Sequence, residues 1–235
     1  TGNSADAIAS YCKDHEIEKV FATRGFDTSG IAVQGEVEQE LARLGVELEL
    51  VDSYYAVTPG TIRKDDGSPL KVYTPFYKRW HLNGWDAPAA LDTSSVNWAP
   101  AKVSRWFEPT GSAPFSVKAG EARALETFER FRGRIDRYHE DRNRCDISGT
   151  SHLSHALAHG EIHPRTLLEG LGNSEGEEVF RKEIAWREFY ADVLFHNPHT
   201  LHDYLEPRFA NMRFDDPEEH AGKLQAWKNG MTGWH

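Results

Sequence analysis

Glu183, Trp186, Arg187 and Tyr190 stand at i, i+3, i+4 and i+7, a single stripe if the segment is helical. A carboxylate, an indole, a guanidinium and a phenol make a poor apolar core. Such a face is either solvated and salt-bridged, or it lines a site that needs a proton acceptor and a stacking plane. A second constellation is Gly149-Thr150-Ser151-His152-Leu153-Ser154, followed by Leu157 and Gly160. A glycine, then hydroxyls, then spaced leucines reads as a loop entering a helix, where hydroxyls and unpaired backbone N–H groups form an N-cap or hold an anion. Tyr138 closes an apolar series and Arg142 follows four residues on. That spacing puts the two on neighbouring faces of one helix, able to share a cleft. His152, His155, His159 and His163 recur at three to four residues, which zinc accepts, but no His-Glu-x-x-His string or cysteine accompanies them. They read as surface or helix-packing histidines, and no metal is expected.

The elements that must carry these groups change character along the chain. Ala5 to His15 suits a helix and Glu18 to Ala22 a short buried strand; Gln34 to Leu44 is periodic, with Val37, Leu41 and Leu44 on one face. Val46 to Val51 alternates as a strand does. Strand, helix and strand with Gly45 between imply a parallel sheet in an α/β layer, and two strands make a small one. From Asn83 to Val117 the chain is rich in Pro, Ser, Ala and Gly without sustained periodicity, a surface connector. Beyond Gly120, Leu125, Phe128, Phe131, Ile135 and Tyr138 recur at three and four, so one helical face is expected to hold all five. The organisation expected is an α/β part over 1–83, a connector over 84–117 and a helical part over 118–235. The fold class is thus α/β: the C-terminal part of a Rossmann-like parallel-sheet domain, incomplete, followed by a helical domain.

Bulk composition narrows the class. The 235 residues are 39% hydrophobic with a mean hydropathy of −0.64, and no apolar run approaches the roughly 18 residues of a membrane span. Thr1-Gly2-Asn3-Ser4-Ala5-Asp6 resembles no signal peptide and lacks an initiator methionine. Cys12 and Cys145 are far apart, which fits a reducing cytoplasm and no structural disulfide. The formal charge of −10 opposes a nucleic-acid partner, yet Arg130, Arg132, Arg134, Arg137, Arg142 and Arg144 form a local basic run.

Taken together and in order, Tyr138-His139-Glu140-Asp141-Arg142-Asn143, Gly149 to Ser154, Glu183 to Tyr190 and Trp227-Lys228-Asn229-Gly230-Met231-Thr232-Gly233 resemble the flavin-binding helical domain of the DNA photolyase/cryptochrome family. Tyr73-Thr74-Pro75-Phe76 is similar to the element that closes that family's α/β domain. The likeness is to class I cyclobutane pyrimidine dimer photolyases, and to an internal stretch of one. It implies FAD as cofactor, held at Tyr138, Thr150, Ser151, His152, Leu153 and Ser154, with Phe180 against the flavin. His152 stands where relatives commonly have Arg or Lys, so contact there is expected through backbone. It implies DNA containing pyrimidine dimers as partner, with Arg142 on a phosphate and Glu183, Trp186, Arg187 and Tyr190 at the extruded lesion. Glu183 and Trp186 are the catalytic pair in that reading. Light-driven dimer repair is the implied activity, with a cryptochrome-type blue-light receptor as the alternative. The 235-residue piece by itself is expected to be inactive and monomeric. Around Phe26-Asp27-Thr28-Ser29-Gly30 the Asn-Glu pair of folate-binding relatives is missing, so a folate antenna is disfavoured; a deazaflavin or no antenna stays open. The family's first relay tryptophan belongs shortly before Trp227, where Asn211, Met212 and Arg213 stand instead.

Overall fold

The computed structural model describes residues 3–51, 53–90, 92–98 and 119–233. Contacts divide the chain into two compact units, Thr1–His196 and Asn197–His235. The first begins with α1 (Ser4–Asp14), capped by the Asn3 side chain, which accepts from the N–H groups of Ala5 and Asp6. Then come β1 (Lys19–Thr23), α2 (Thr28–Arg43) and β2 (Glu47–Val51). The strands pair in parallel, Lys19 opposite Glu47 through Thr23 opposite Val51. Helix α2 starts six residues before the periodicity suggests, because Asp27 accepts from the Gly30 N–H at 2.9 Å and fixes the start. Val37 and Leu41 are buried with Ala5 and Cys12, but Leu44, at the helix end, is 43% exposed and leaves the expected face.

Helix α3 (Tyr73–Asn83) follows a loop and buries Phe76 and Trp80. The expected connector over 84–117 lies outside the described residues at 91 and from 99 onward. Next are α4 (Glu121–Arg132), a 3-10 turn (Ile135–Arg137), α5 (Tyr138–Asp141), α6 (Ser154–Ala158), α7 (Pro164–Glu169) and the long α8 (Glu175–His196). The helix expected to run unbroken to Tyr138 is therefore interrupted at Gly133, and Tyr138 opens α5 instead of closing α4. Phe128, Phe131, Ile135 and Tyr138 stay buried across the break, since the tight turn returns the chain to the same face; Leu125 is 38% exposed and does not join them. Helix α8 can lie against that turn because position 176 is glycine: a Cβ there would fall 1.8 Å from the Ile135 carbonyl oxygen. One core joins Ile62, Leu70, Phe76 and Trp80 to Phe128, Phe131, Leu167, Phe180, Ile184 and Phe189.

The second unit has 3-10 turns at Pro198–Leu201 and Pro207–Asn211 and the helix α9 (Ala221–Lys228), with Trp227 exposed near its end. No described helix is long and apolar enough to cross a membrane.

Candidate functional site

Tyr138, at the start of α5, meets Phe131 edge-on at 5.4 Å and Phe180 at 5.5 Å, and its burial raises the phenol pKa. Arg142 caps the far end of that short helix and turns back over the ring, 5.5 Å from its centroid. Its Nη1 donates to Glu183 Oε1 at 2.5 Å, and each side chain is about one-third exposed, at 30% and 33%. The hydrogen bond to Glu183 raises the guanidinium pKa above its ordinary value. Thus α5 and α8 are joined at the solvent edge by a charged pair standing over a buried aromatic cluster. Phe180 is one turn before Glu183 and buried in that cluster.

The loop after α5 folds back onto it. At Gly149 a Cβ would fall 2.0 Å from the Asp141 carbonyl oxygen, so only glycine lets the loop approach so closely. Arg134 donates to the carbonyls of Ser148 and Thr150. His152 sits in the left-handed region at φ 55°, with Nε2 2.9 Å from Ser148 Oγ. Leu153 is driven into the core, which pins the loop from below while Thr150, His152 and Ser154 face solvent and Ser151 is half-buried. The hydroxyls do not cap α6 as the N-cap reading requires. Leu153 occupies the cap position with no side-chain bond, and Ser151 Oγ accepts weakly from the Leu153 N–H at 3.4 Å. Thr150 and Ser154 remain exposed in this loop, and hydroxyl groups are a donor set that suits the phosphates of a dinucleotide.

On α8 the stripe divides. Glu183, Trp186 and Tyr190 share one side: Trp186 lies flat on Tyr73 at 3.6 Å and 6°, and Tyr190 is tilted 25° from it at 5.7 Å. Tyr73 thus covers one indole face. Arg187 turns away from the other three, donates to the Tyr54 carbonyl at 3.0 Å and lies 4.5 Å from the centre of the Tyr55 ring. The basic run of the sequence is also less basic in three dimensions. Arg130 pairs with Glu126, Arg132 with Glu129, Arg137 with Asp141, Arg142 with Glu183 and Arg144 with Asp146.

Several residues escaped sequence reasoning. Glu188, buried, accepts from the N–H groups of Ala56 and Val57 at 3.0 Å each, and Asp192 accepts from the Gly60 N–H at 2.7 Å. Burial pushes the Glu188 carboxyl up to about 7 against the pull of those two N–H groups, and Asp192 is likewise raised by burial. The segment after β2 is further held by His163, bonded to the Ser53 carbonyl at 2.9 Å, and by Arg165 on the Ala56 carbonyl at 3.0 Å. His163 is thus a helix-packing histidine. Tyr73, Phe76, Tyr77 and Trp80 at i, i+3, i+4 and i+7 were the available signal for α3 as an aromatic partner of α8. Tyr77 donates to Glu178 Oε1 at 2.6 Å and Tyr73 to the Lys182 carbonyl at 2.7 Å.

A separate hollow of about 560 Å³ opens at the carboxyl end of the sheet, lined by Thr23, Gly25, Phe26, Tyr55 and Leu194 among others. Open α/β sheets bind ligands at such carboxyl ends.

The family model described as DNA photolyase matches residues 1–93, and that described as the FAD binding domain of DNA photolyase matches residues 180–235. The chain belongs to the DNA photolyase/cryptochrome family. It is 30% identical to the deoxyribodipyrimidine photo-lyase of Agrobacterium fabrum over all of this chain and 52% of that protein. It is 25% identical to that of Escherichia coli over 98% of this chain and 51% of that protein. A bacterial class III photolyase structure from Agrobacterium tumefaciens superposes with a TM-score of 0.77 at 25% identity, covering 99% of this chain and 52% of the other. A Synechocystis cryptochrome, at 18% identity and a TM-score of 0.79, shares the fold over 100% of this chain and 52% of that one. The chain spans about half the length of the curated relatives it matches. The α/β part followed by family-type helices is the architecture expected from the sequence.

Proposed function

We propose that the whole protein repairs cyclobutane pyrimidine dimers in DNA under blue light, with FAD held between the 149–154 loop and α5. The observation that supports this best is the junction of α5 and α8: Arg142 reaches Glu183 while lying over Tyr138, one helical turn from Trp186. When bound and reduced, the flavin absorbs light and supplies the electron that opens the cyclobutane ring.

The chain's own residues prepare that step. Thr150, Ser151 and Ser154 offer hydroxyls, and His152 its backbone, to the pyrophosphate; Tyr138 and Phe180 form the apolar floor. Arg142 exchanges its half-buried Glu183 partner for a DNA phosphate, which replaces one charge-assisted hydrogen bond by another. Glu183, released, accepts a hydrogen bond from the base edge. Trp186 stacks on the extruded pyrimidines with the face that Tyr73 leaves open, beside Tyr190; Arg187 reaches a second phosphate only by leaving the Tyr54 carbonyl and the Tyr55 ring. Photolyases are among the enzymes that extrude their target nucleotides. The hollow at the sheet's carboxyl end is the place for an antenna chromophore other than folate. An archaeal photolyase from Sulfolobus tokodaii, similar in fold at 17% identity and a TM-score of 0.69, is described as holding two FAD molecules and implying a novel light-harvesting cofactor. Action on DNA in the reducing cytoplasm, as a monomer, completes the reading.

One observation favours a second reading, a cryptochrome-type light receptor: Tyr73 already occupies one face of Trp186. Blue-light turnover of the whole protein on dimer-containing DNA separates the two. Loss of dimers supports repair. Persistence of dimers while bound flavin is photoreduced supports the receptor.

A further inference from the structure

Five aromatic rings form a continuous file between α8 and the end of α3. Trp186 lies on Tyr73 at 3.6 Å, Tyr73 on Tyr77 at 6.0 Å, Tyr77 on Trp80 at 6.2 Å and Trp80 on Trp85 at 4.6 Å, all within 29° of parallel. Stacked indoles and phenols lose single electrons more readily than any other uncharged side chains, and short ring-to-ring steps are what electron transfer between them requires. The two tyrosines differ in what receives their hydroxyl protons. Tyr73 donates to a backbone carbonyl, which cannot keep a proton. Tyr77 donates to a carboxylate, Glu178, at 2.6 Å. Burial raises the Glu178 pKa, but hydrogen bonds from Tyr77 and Arg181 outweigh it and keep that group ionised. The Lys182 ammonium, 5.7 Å from the Tyr77 ring centre, opposes a positive ring and so favours oxidation with proton loss.

We propose that Tyr77 is a redox-active tyrosine: its electron fills a hole on the Trp186 indole by way of the Tyr73 ring, and its phenolic proton moves to Glu178. The step balances. Trp186, oxidised by one electron, is restored; Tyr77 becomes a neutral phenoxyl radical; the O–H bond of Tyr77 breaks and an O–H bond forms on Glu178. The oxidant that creates the hole is a photoexcited oxidised flavin, and this choice of oxidant rests on the flavin reading given above. The relay itself does not depend on it.

The test therefore brings its own oxidant. In the whole protein with Cys145→Ser, Tyr190→Cys places a thiol at an exposed position one turn from Trp186, and a ruthenium polypyridyl complex is attached there. A flash with an external electron acceptor generates the one-electron oxidant, and transient absorption and electron paramagnetic resonance follow the radicals. A neutral tyrosyl radical is expected after an indole radical. Tyr77→Phe, which removes one hydroxyl from the file, should lower its yield at least tenfold and prolong the indole radical. Glu178→Gln should slow its formation at least tenfold. A tyrosyl yield unchanged by Tyr77→Phe, or an indole radical that never yields a tyrosyl radical in the parent, overturns the proposal. Absence of bound flavin with the ruthenium-driven relay intact would instead count against the flavin reading alone.

Discussion

Glu188 allows a prediction whose size follows from its surroundings. The carboxyl is buried on α8 and holds two N–H groups of the segment after β2, yet burial lifts its pKa from an ordinary 4.5 to about 7. A raised carboxyl pKa means the folded chain binds a proton that the unfolded chain has already released. The contribution to stability is greatest below about pH 4.5 and is lost as pH rises toward 7. A displacement of roughly 2.5 units corresponds to about 3 kcal/mol. Glu188→Gln cannot ionise; its one oxygen keeps one of the two N–H groups, which bond to different carboxylate oxygens, and its amide nitrogen faces the other. At pH 4.5 it should lie within about 1–2 kcal/mol of the parent. Between pH 4.5 and 8 the parent should lose about 3 kcal/mol relative to the variant, whatever the histidines common to both contribute. Urea unfolding of both proteins at half-unit pH steps measures the difference directly. Parallel stability curves would refute the reasoning, and so would a parent that gains on the variant as pH rises.

Other perturbations probe the site. Gly149→Ala should lower stability by several kcal/mol and empty the flavin site, since its Cβ meets the Asp141 carbonyl; denaturation midpoint and flavin absorbance read both effects. Trp186→Ala should weaken binding to dimer-containing duplex by about 1–3 kcal/mol, roughly 5- to 150-fold, with flavin content unchanged. Arg142→Ala should weaken binding to damaged and undamaged DNA alike and reduce the slope of log affinity against log salt by about 1, as titrations at several salt concentrations would show.

What could be read in the sequence, and what could not, divides along physical lines. The parallel strand pair was legible because Val46 to Val51 alternates and the intervening helix carries Val37 and Leu41 at helical spacing; the first strand, expected to be buried, is half-buried with Phe21 exposed. The stripe from Phe128 to Tyr138 was legible as a buried face but not as a broken helix: Gly133 ends α4, and a 3-10 turn preserves the phase that periodicity reports. Leu125 in that stripe and Leu44 in the α2 stripe fit the periodicity and are nonetheless exposed; Leu44 is the cap of its helix, beyond the surface that covers Val37 and Leu41. In the site, Tyr138, Arg142, Glu183 and Trp186 come together, whereas Arg187 is captured by Tyr54 and Tyr55, more than 130 residues earlier in the chain. Long-range capture of that kind leaves no local pattern. Glu188 and Asp192 were hidden for the same reason: on a charged helix they look solvated, and only the backbone of residues 56–60 explains their burial.

The central claim is that the 149–154 loop, α5 and the exposed edge of α8 form one pocket for FAD and an extruded dimer. A crystal structure of the whole protein with FAD and a duplex containing a cyclobutane dimer tests it most directly. The account predicts the pyrophosphate against Thr150 to Ser154, the flavin beside Tyr138, and the dimer on Trp186 within hydrogen-bond reach of Glu183. A flavin seated elsewhere, or a dimer bound away from Trp186 with the Arg142–Glu183 pair still closed, would contradict it.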